Sequence, residues 1–552
     1  MKHWWLWIGW VGIAVSCGKP EQFVHFETLK APPIVFPQPE STANLTGEQL
    51  AYRYCQTCHV FPEPSLLPKT IWTESVLPRM GHWLGIRGSA QEPYRGMAMY
   101  DEYIVRQANI FPDEPKITDG RWQKLVEYYE QQALDSFPGA APIPVDTALT
   151  QFQTHAVRLS PQTIPTTTLT HIDTVTGHLW LGDAQGMLYE INGQQTILDS
   201  VRLDSPPADL HLQSDGTYQV LTMGIMNPSD QIKGKLWQGS FRDSLWQLLS
   251  TDLRRPVHFT PTNLGGGKIS GWLVAEFGNY LGQLVYYPTS PEKIDRKQVL
   301  TDSPGTRKVE VTDINQDGLP DVTALVAQGN ERIITWYNQG DGRYVPKVLL
   351  RFPPVYGSSY FELADFNQDG RLDILYTNGD NADYSPVLKP YHGIRIFLQS
   401  VEGRFEESYF LAMPGASKAM AYDFDQDGDQ DIAVISFFPN FEQNPGQGFF
   451  YLENQSTAIA LDFSAKTFPE AASGHWLTMD TGDIDQDGDQ DIVLGSFILP
   501  PVQAPDSLRT YWTENGPHYL ILENQENYNQ GSQELSVYQK QPSLQQLGDT
   551  PR

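Results

Sequence analysis

DINQDGLPD, residues 313–321, is the first of four similar nine-residue segments in this chain of 552 residues. The segments begin 52, 58 and 60 residues apart, a period typical of repeat arrays and propellers. In each of them, oxygen-bearing side chains stand at positions 1, 3, 5 and 9, and glycine stands at position 6. Calcium prefers oxygen ligands, and glycine permits the sharp turn that gathers them around one point. We therefore expect about four Ca²⁺ ions, held by Asp313, Asn315, Asp317 and Asp321; Asp365, Asn367, Asp369 and Asp373; Asp423, Asp425, Asp427 and Asp431; and Asp483, Asp485, Asp487 and Asp491.

The segments are not EF-hands. An EF-hand carries a bidentate Glu at position 12 and continues into a helix. Position 12 is instead Ala324, Tyr376, Val434 or Leu494, within short runs rich in β-branched residues that predict strands. Plain Asp/Gly turns without metal are the alternative interpretation. Against it, the last two segments carry five Asp each, and such crowding costs free energy unless a cation neutralises it.

The four units resemble FG-GAP (VCBS-type) repeats, the blades of integrin-α-like β-propellers. Each unit contains a further strand of similar sequence: IITWYNQ (333–339), IRIFLQS (394–400), FFYLENQ (449–455) and YLILENQ (519–525). Three earlier stretches, at 178–191, 209–224 and 263–287, look like degenerate copies without the metal site. The resemblance implies an all-β propeller over residues 151–530, with seven blades.

A second pattern, RYCQTCH at 53–59, lies near the N-terminus. A zinc site normally needs four ligands, and the chain has only three cysteines. A thioredoxin-like dithiol should follow a strand, whereas the preceding residues show a helical pattern. In C-x-x-C-H, two thiols form thioethers to haem and the adjacent imidazole ligates the iron. We therefore expect covalent haem c at Cys55, Cys58 and His59.

Residues 44–137 resemble a small single-haem cytochrome c domain. The resemblance rests on the haem motif and on a C-terminal helix that begins near Thr118 and repeats apolar residues at helical spacing. The sixth iron ligand is predicted to be Met80, after a short helix that is expected to stop near Pro78. Met97, Met99 and His82 are the alternatives.

The first residues, MKHWWLWIGWVGIAVSC, combine a basic start with a short apolar run that ends in small residues. This resembles a bacterial lipobox, with Ala14 where Leu is usual, and implies an acylated Cys17 after a signal peptide at 1–17. An ordinary export signal and an uncleaved anchor are the alternatives. Residues 18–43 are then predicted to be a Pro-rich tether, 138–150 a linker and 531–552 a polar tail.

Cations and aromatic residues precede the acidic segments, near the start of each predicted inner strand. Because inner strands line a propeller's central channel, they suggest a pocket for an anionic or polar ligand; exposed strand ends are the alternative. The pairs are Arg307-Lys308, Ser359-Tyr360, Ser417-Lys418 and His475-Trp476.

The sequence thus predicts a multidomain protein, a small all-α haem domain followed by an all-β propeller, lipid-anchored in the cell envelope. Its expected function is electron transfer with a redox partner protein, while the propeller docks a partner or ligand. The alternatives are an oxidoreductase whose haem accepts electrons from a substrate, and an adhesion or glycan-binding propeller with an accessory haem. We found no flavin or dinucleotide signature. The net charge of −28 argues against a nucleic-acid partner.

Overall fold

The structure is a computed structural model of the chain. The predicted signal peptide with Cys17 and the predicted polar tail lie outside the residues that it describes. Those residues are 24–30, 35–37, 44–87, 92–138, 144–213, 215–241, 245–264, 271–289, 297–382, 384–385, 387–457, 460–498 and 504–525. Within these ranges, no helix combines the length and apolar character needed to cross a bilayer.

Residues 44–138 form a helical module. Its first helix starts at a capping box, in which Thr46 and Gln49 satisfy each other's backbone N–H groups. The first and last helices cross closely at Gly47, where a Cβ atom would lie 2.2 Å from the Lys124 carbonyl oxygen. The helices are α1 (Gly47–Cys55), α2 (Lys69–Ile71), α3 (Leu77–Trp83), α4 (Met99–Gln107) and α5 (Asp119–Gln132), with a 3₁₀ turn at Pro64–Leu66.

The helix predicted to stop near Pro78 does not stop there. A π-helical turn at Trp72–Val76 joins α2 to α3, so one helical segment runs from Lys69 to Trp83. Within it, the Leu77 N–H bonds back to the Trp72 carbonyl. This wider turn accommodates a proline in the first turn of the next helix. Met80 therefore lies within a helix, whereas the sequence analysis placed it after the end of one.

Seven antiparallel sheets form the blades of a β-propeller, which confirms the predicted blade number. The first strand of each blade lies at the axis and the fourth at the rim, and the three degenerate copies fall in blades 1 to 3. The strands of blades 1 to 3 are β3 (Thr167–Ile172), β4 (Leu179–Asp183), β5 (Met187–Ile191) and β6 (Ile197–Arg202); β7 (Pro207–Leu212), β8 (Tyr218–Thr222), β9 (Gly234–Ser240) and β10 (Leu245–Leu253); and β11 (Pro256–Thr262), β12 (Gly271–Glu276), β13 (Gln283–Pro288) and β14 (Gln298–Thr301).

Blades 4 to 7 carry the four acidic segments, each between the first and second strands. The second strands are buried along their whole length, as expected for central strands covered on both faces. These blades comprise β15 (Thr306–Thr312), β16 (Asp321–Val326), β17 (Arg332–Asn338) and β18 (Arg343–Arg351); β19 (Ser358–Ala364), β20 (Asp373–Asn378), β21 (Gly393–Gln399) and β22 (Phe405–Ala412); β23 (Ala416–Tyr422), β24 (Asp431–Ser436), β25 (Phe449–Asn454) and β26 (Phe463–Lys466); and β27 (Trp476–Gly482), β28 (Asp491–Ser496), β29 (Tyr519–Asn524) and β2 (Phe152–Val157).

The ring is closed by its two ends. β2, near the start of the propeller, is the outer strand of blade 7, whose other three strands come from the C-terminal end. The predicted linker leads to β2 along the rim of blade 6, where the backbone of Asp146 forms an isolated β-bridge with that of Lys466. Apolar clusters fill the spaces between neighbouring blades. One further helix, α6 (Asp506–Asn515), lies between β28 and β29.

Part of the predicted tether is also ordered on the propeller. β1 (His25–Phe26) pairs in parallel with β18 as a fifth strand of blade 4, and Phe26 is buried. The sequence period could not show this, because two residues in a Pro-rich stretch are too short to give a strand pattern of their own.

The propeller has two faces. The loop face carries the turns between first and second strands, including the acidic segments, and the turns between third and fourth strands. The opposite, module face carries the turns between second and third strands. The helical module contacts this face: Asp101 bonds to the blade 2 turn, the Trp83 ring lies 6.0 Å from Tyr280 of blade 3, and the Ser75 hydroxyl donates to the Tyr384 carbonyl of blade 5 at 2.6 Å.

Candidate functional site

The predicted haem attachment motif lies directly after α1. The His59 Nδ1 atom lies 2.8 Å from the Val60 carbonyl oxygen, which can only accept a hydrogen bond. Nδ1 must therefore carry the proton, so the lone pair of the neutral ring is on Nε2. Burial lowers the pKa of His59, although the bond to Val60 opposes this. A neutral imidazole oriented by a backbone carbonyl is the usual state of a histidine that ligates a metal.

The two thiols do not resemble those of a dithiol oxidoreductase. Cys55 and Cys58 are not disulfide-bonded to each other. Burial raises the pKa of the Cys55 thiol to about 12, and it raises that of Cys58 as well. Redox-active dithiols instead need a lowered pKa, because the thiolate is the nucleophile. The donor set fits two thioether links and one imidazole ligand better than it fits dithiol exchange.

The candidates for a sixth iron ligand lie in different surroundings. Met80 packs against the same core cluster as Cys55. Met99 is 88% exposed at the start of α4, and Met97 lies in the turn before it. His82 is buried, with its ring 6.1 Å from that of Phe111. Met80 is therefore the candidate that packs in the same cluster as Cys55.

The acidic segments of blades 4 to 7 fold into one repeated loop. In blade 4, both carboxylate oxygens of Asp313 accept backbone N–H groups, from Asp317 at 3.0 Å and from Gly318 at 2.7 Å. The residue at position 4 is Gln in all four loops and adopts a positive φ, which is unusual for a residue other than glycine. Gln316 and Gln368 each donate to the position 6 carbonyl of the next loop, which links loops of neighbouring blades.

The Asp at position 9 has a structural role that the sequence did not reveal. It is the first residue of the second strand, fully buried, and its Oδ1 accepts the N–H at the end of the third strand. Its other oxygen accepts the position 2 N–H in blades 5 to 7. The first of these bonds is 2.8 Å in every loop: Asp321 to Asn338, Asp373 to Gln399, Asp431 to Asn454 and Asp491 to Asn524.

Blades 6 and 7 are the better candidates for metal sites. Each of these blades has three Asp whose carboxylate oxygens lie within 4.8 Å of one another. Among the described residues, these are the two groups of three acidic or metal-binding side chains that lie so close together. In blades 4 and 5, Asn replaces Asp at position 3, and its side-chain amide donates to the Asp at position 5. Those loops therefore carry less uncompensated charge. The two groups are Asp423, Asp425 and Asp427, and Asp483, Asp485 and Asp491.

Ionisation of the position 9 carboxylates in these loops is unfavourable, because they are buried and lie near other acids. Burial, followed by neighbouring acids such as Asp485, raises the pKa of Asp491 to about 8. Burial likewise raises the pKa of Asp431 to about 7, and acids nearby add to it. A bound cation would remove this penalty, since it favours the ionised carboxylates.

The polar side chains around the axis link one blade to the next. At every boundary in the ring, an inner-strand side chain bonds to backbone of the neighbouring inner strand. Lys308 and Lys418 are two of these links. The bonds are Thr168 to the Pro207 carbonyl (2.8 Å), Phe259 N–H to Asp209 (2.9 Å), Thr260 to the Val309 carbonyl (3.1 Å), Lys308 to the Phe361 carbonyl (2.8 Å), Ala421 N–H to Glu362 (3.3 Å), Lys418 to the Met479 carbonyl (2.8 Å) and Ile172 N–H to Asp480 (2.9 Å).

Three residues of the predicted channel pocket do meet. The Lys308 ammonium donates to the Tyr360 hydroxyl at 2.8 Å and pairs with Glu310 at 2.6 Å, while Lys418 lies 5.2 Å from the Tyr360 ring. Burial alone would lower the pKa of Lys308, but Glu310 and Tyr360 raise it overall. The sequence reasoning considered cations and aromatic residues and missed the acids, although Glu310, Glu362 and Asp480 each stand three residues before an acidic segment.

The prediction is wrong for His475 and Trp476. Both are buried between blades 6 and 7 and do not line the channel. The His475 ring stacks on Phe437 with centroids 4.0 Å apart, and the Trp476 indole donates to the Ala471 carbonyl. The start of an inner strand can face the space between blades as well as the axis.

Comparison with known proteins supports the repeat assignment. The FG-GAP-like repeat family matches residues 313–376 and 423–494, and each match spans two consecutive acidic loops. No curated protein matches the chain. Among solved structures, the N-terminal domain of Nup159 is 9% identical, with a TM-score of 0.40, and the Neurospora crassa Pan2 WD40 domain is 10% identical, with a TM-score of 0.41. Each match covers 69% of this chain and 97% of the other. The protein thus contains FG-GAP-like repeats, and these contribute four blades to a seven-bladed β-propeller.

Proposed function

We propose that this protein is a membrane-anchored c-type haem electron-transfer protein whose calcium-stabilised propeller docks a partner. The observation that carries the proposal is the state of His59 beside Cys55 and Cys58. Its protonated Nδ1 is held by Val60, and its Nε2 is left with the lone pair. Haem bound there would exchange single electrons, at a potential set by the protein ligands of its iron. Cys55, Cys58 and His59 would hold it, and Met80 would be the sixth ligand.

The propeller supplies the docking part of the proposal. FG-GAP-like repeats arranged as a propeller suggest a binding or docking role. The helical module packs against the module face through the turns of blades 2, 3 and 5, and its core includes Val355 of the propeller. A partner held by the propeller would therefore meet the helical module in a fixed orientation. Cys17 would carry the lipid that anchors the protein in the cell envelope.

The test is the absorption spectrum of protein expressed in a host that matures c-type cytochromes. We expect the haem to stay with the protein when acidic acetone extracts non-covalent haem, and its reduced pyridine complex to absorb where haem with two thioether links does. The double variant Cys55→Ser, Cys58→Ser is the matched control and should be colourless. A colourless parent protein would overturn the haem assignment and leave a binding propeller. Haem reduction by a small substrate alone would instead favour an oxidoreductase.

A further inference from the structure

The path of β1 shows where the chain leaves the propeller on its N-terminal side. The His25 N–H donates to the Gly342 carbonyl at 2.8 Å, and Gly342 lies in the turn between β17 and β18 on the loop face. In the same turn, a Cβ atom on Gly340 would lie 3.4 Å from Leu319 of the blade 4 acidic loop. Val24 therefore lies at the loop face, beside an acidic loop.

From Val24 the chain runs towards the module face. β1 runs parallel to β18, and β18 runs from the loop face to the module face. Further along, the Leu29 N–H donates to the Leu300 carbonyl at 2.7 Å, in the outer strand of blade 3. The segment after Val24 thus leads to the helical module, and the segment before it begins at the opposite face.

The length of chain between Cys17 and Val24 limits where a lipid on Cys17 can lie. Seven residues span about 25 Å when fully extended. To reach the module face, this segment would have to run back along β18, whose nine residues are about 30 Å long. A lipid on Cys17 can therefore enter a membrane beside the loop face, but it cannot enter one that lies against the module face.

We infer that the loop face, at blade 4, lies against the membrane that holds the Cys17 lipid, and that the helical module is displayed on the side away from it. This orientation rests on the proposed acylation of Cys17. The proposed function named no surface for the membrane. In this orientation the surface is the loop face, and its acidic loops face the lipid headgroups. Exposed carboxylates such as Asp317 would repel anionic headgroups, so close contact requires the loops to hold their cations.

The test uses the full-length acylated protein in lipid vesicles with calcium. Acylation of Cys17 is first verified by mass spectrometry. The same genetically encoded fluorescent amino acid then replaces either Val401, 83% exposed in the turn between β21 and β22 on the loop face, or Tyr103, 58% exposed on α4. The two variants form a matched pair, because both sites are exposed and carry the same probe. Nitroxide groups on the lipid headgroups serve as the quencher.

We expect loss of fluorescence for the probe at Val401 and none for the probe at Tyr103, with the loss at Val401 reduced by a calcium chelator. Quenching at Tyr103 alone, or at neither site, in protein with acylated Cys17 would overturn the orientation and leave the anchor intact. An unmodified Cys17 would overturn both the anchor and the orientation.

Discussion

The carboxylate of Asp101 in the helical module accepts a hydrogen bond from the Ser229 hydroxyl of the propeller at 2.8 Å. The same carboxylate accepts the backbone N–H of Asp230 at 2.8 Å and the side-chain amide of Gln231 at 2.9 Å. Three donors from one turn of blade 2 thus meet one buried acid of α4. This cluster fixes the helical module on the propeller, because a carboxylate that loses its donors while buried carries a large penalty.

The substitution Asp101→Asn should therefore loosen the module. Asparagine has one acceptor oxygen and turns an amide donor towards the donors of blade 2, which should cost about 1–3 kcal/mol. We expect faster protease cleavage within the helical module and a lower unfolding midpoint. Glu102→Gln, which weakens a half-exposed ion pair with Arg106 within α4, is the matched control, and its effect should stay within about 0.5 kcal/mol. Equal protease resistance in both variants would contradict a docking role for Asp101.

Calcium should stabilise the propeller through the loops of blades 6 and 7. In Asp427→Asn, the calcium-free protein should melt at the same temperature as the parent or higher, since one clustered charge is removed. In saturating calcium the order should reverse, because a ligand is lost. Melting temperatures with calcium and with chelator measure both. The control is Asp341→Asn, an exposed residue on the same face that pairs with Arg343. A calcium-induced shift equal to that of the parent would refute a site at Asp427.

Lys418 should act as a link between blades. Lys418→Met keeps the length of the side chain but removes the bond to the Met479 carbonyl, and it leaves His171 as the remaining basic partner of Asp480. The expected loss is about 1–3 kcal/mol of unfolding free energy, measured by denaturant titration. Lys347→Met, on the outer strand β18, is a suitable control. If Lys418→Met is as stable as that control, Lys418 is free for the ligand role that the sequence suggested.

His518 should make the closure of the ring sensitive to acid. Its Nδ1 accepts the Leu159 N–H at 3.3 Å, so the ring must be neutral there. Burial, with Arg158 nearby, lowers the pKa of His518 from 6.5 to about 4. Folding thus favours the neutral ring, and this contribution is present above pH 6.5 and is lost as the pH falls towards 4.

One such histidine should contribute a loss of about 2 kcal/mol between pH 7 and pH 5. In His518→Asn, whose side-chain oxygen can accept the same N–H, the dependence of unfolding free energy on pH should be weaker by this amount. An unchanged slope between the two pH values would show that His518 is protonated in the folded protein.

Met80 and Met99 should differ sharply if haem is bound. Met80→Ala should remove the far-red absorption band of methionine-ligated ferric haem and lower the reduction potential, whereas Met99→Ala should change neither, because Met99 is 88% exposed. Potentiometric titration and the oxidised spectrum measure both quantities. Loss of the band in Met99→Ala instead would reassign the ligand.

The sequence alone determined the features that depend on local spacing. The nine-residue loops, the strands that follow them and the number of blades could be predicted because glycine at position 6 and alternating acids act within a few residues of each other. The helices α1 and α5 followed from their apolar period and from the cap at Thr46.

Only the tertiary structure decided which partners those residues meet across long separations. The Asp at position 9, predicted to be a calcium ligand, also accepts a backbone hydrogen bond from the third strand of its own blade. Asp491 accepts the Asn524 N–H in this way. Lys418, predicted to bind a ligand, reaches the backbone of the next blade, and His475 is buried instead of lining the channel. β1 and β2 pair with strands far along the chain, because closing a ring and covering an exposed edge are properties of the whole fold. A local period contains no information about such contacts.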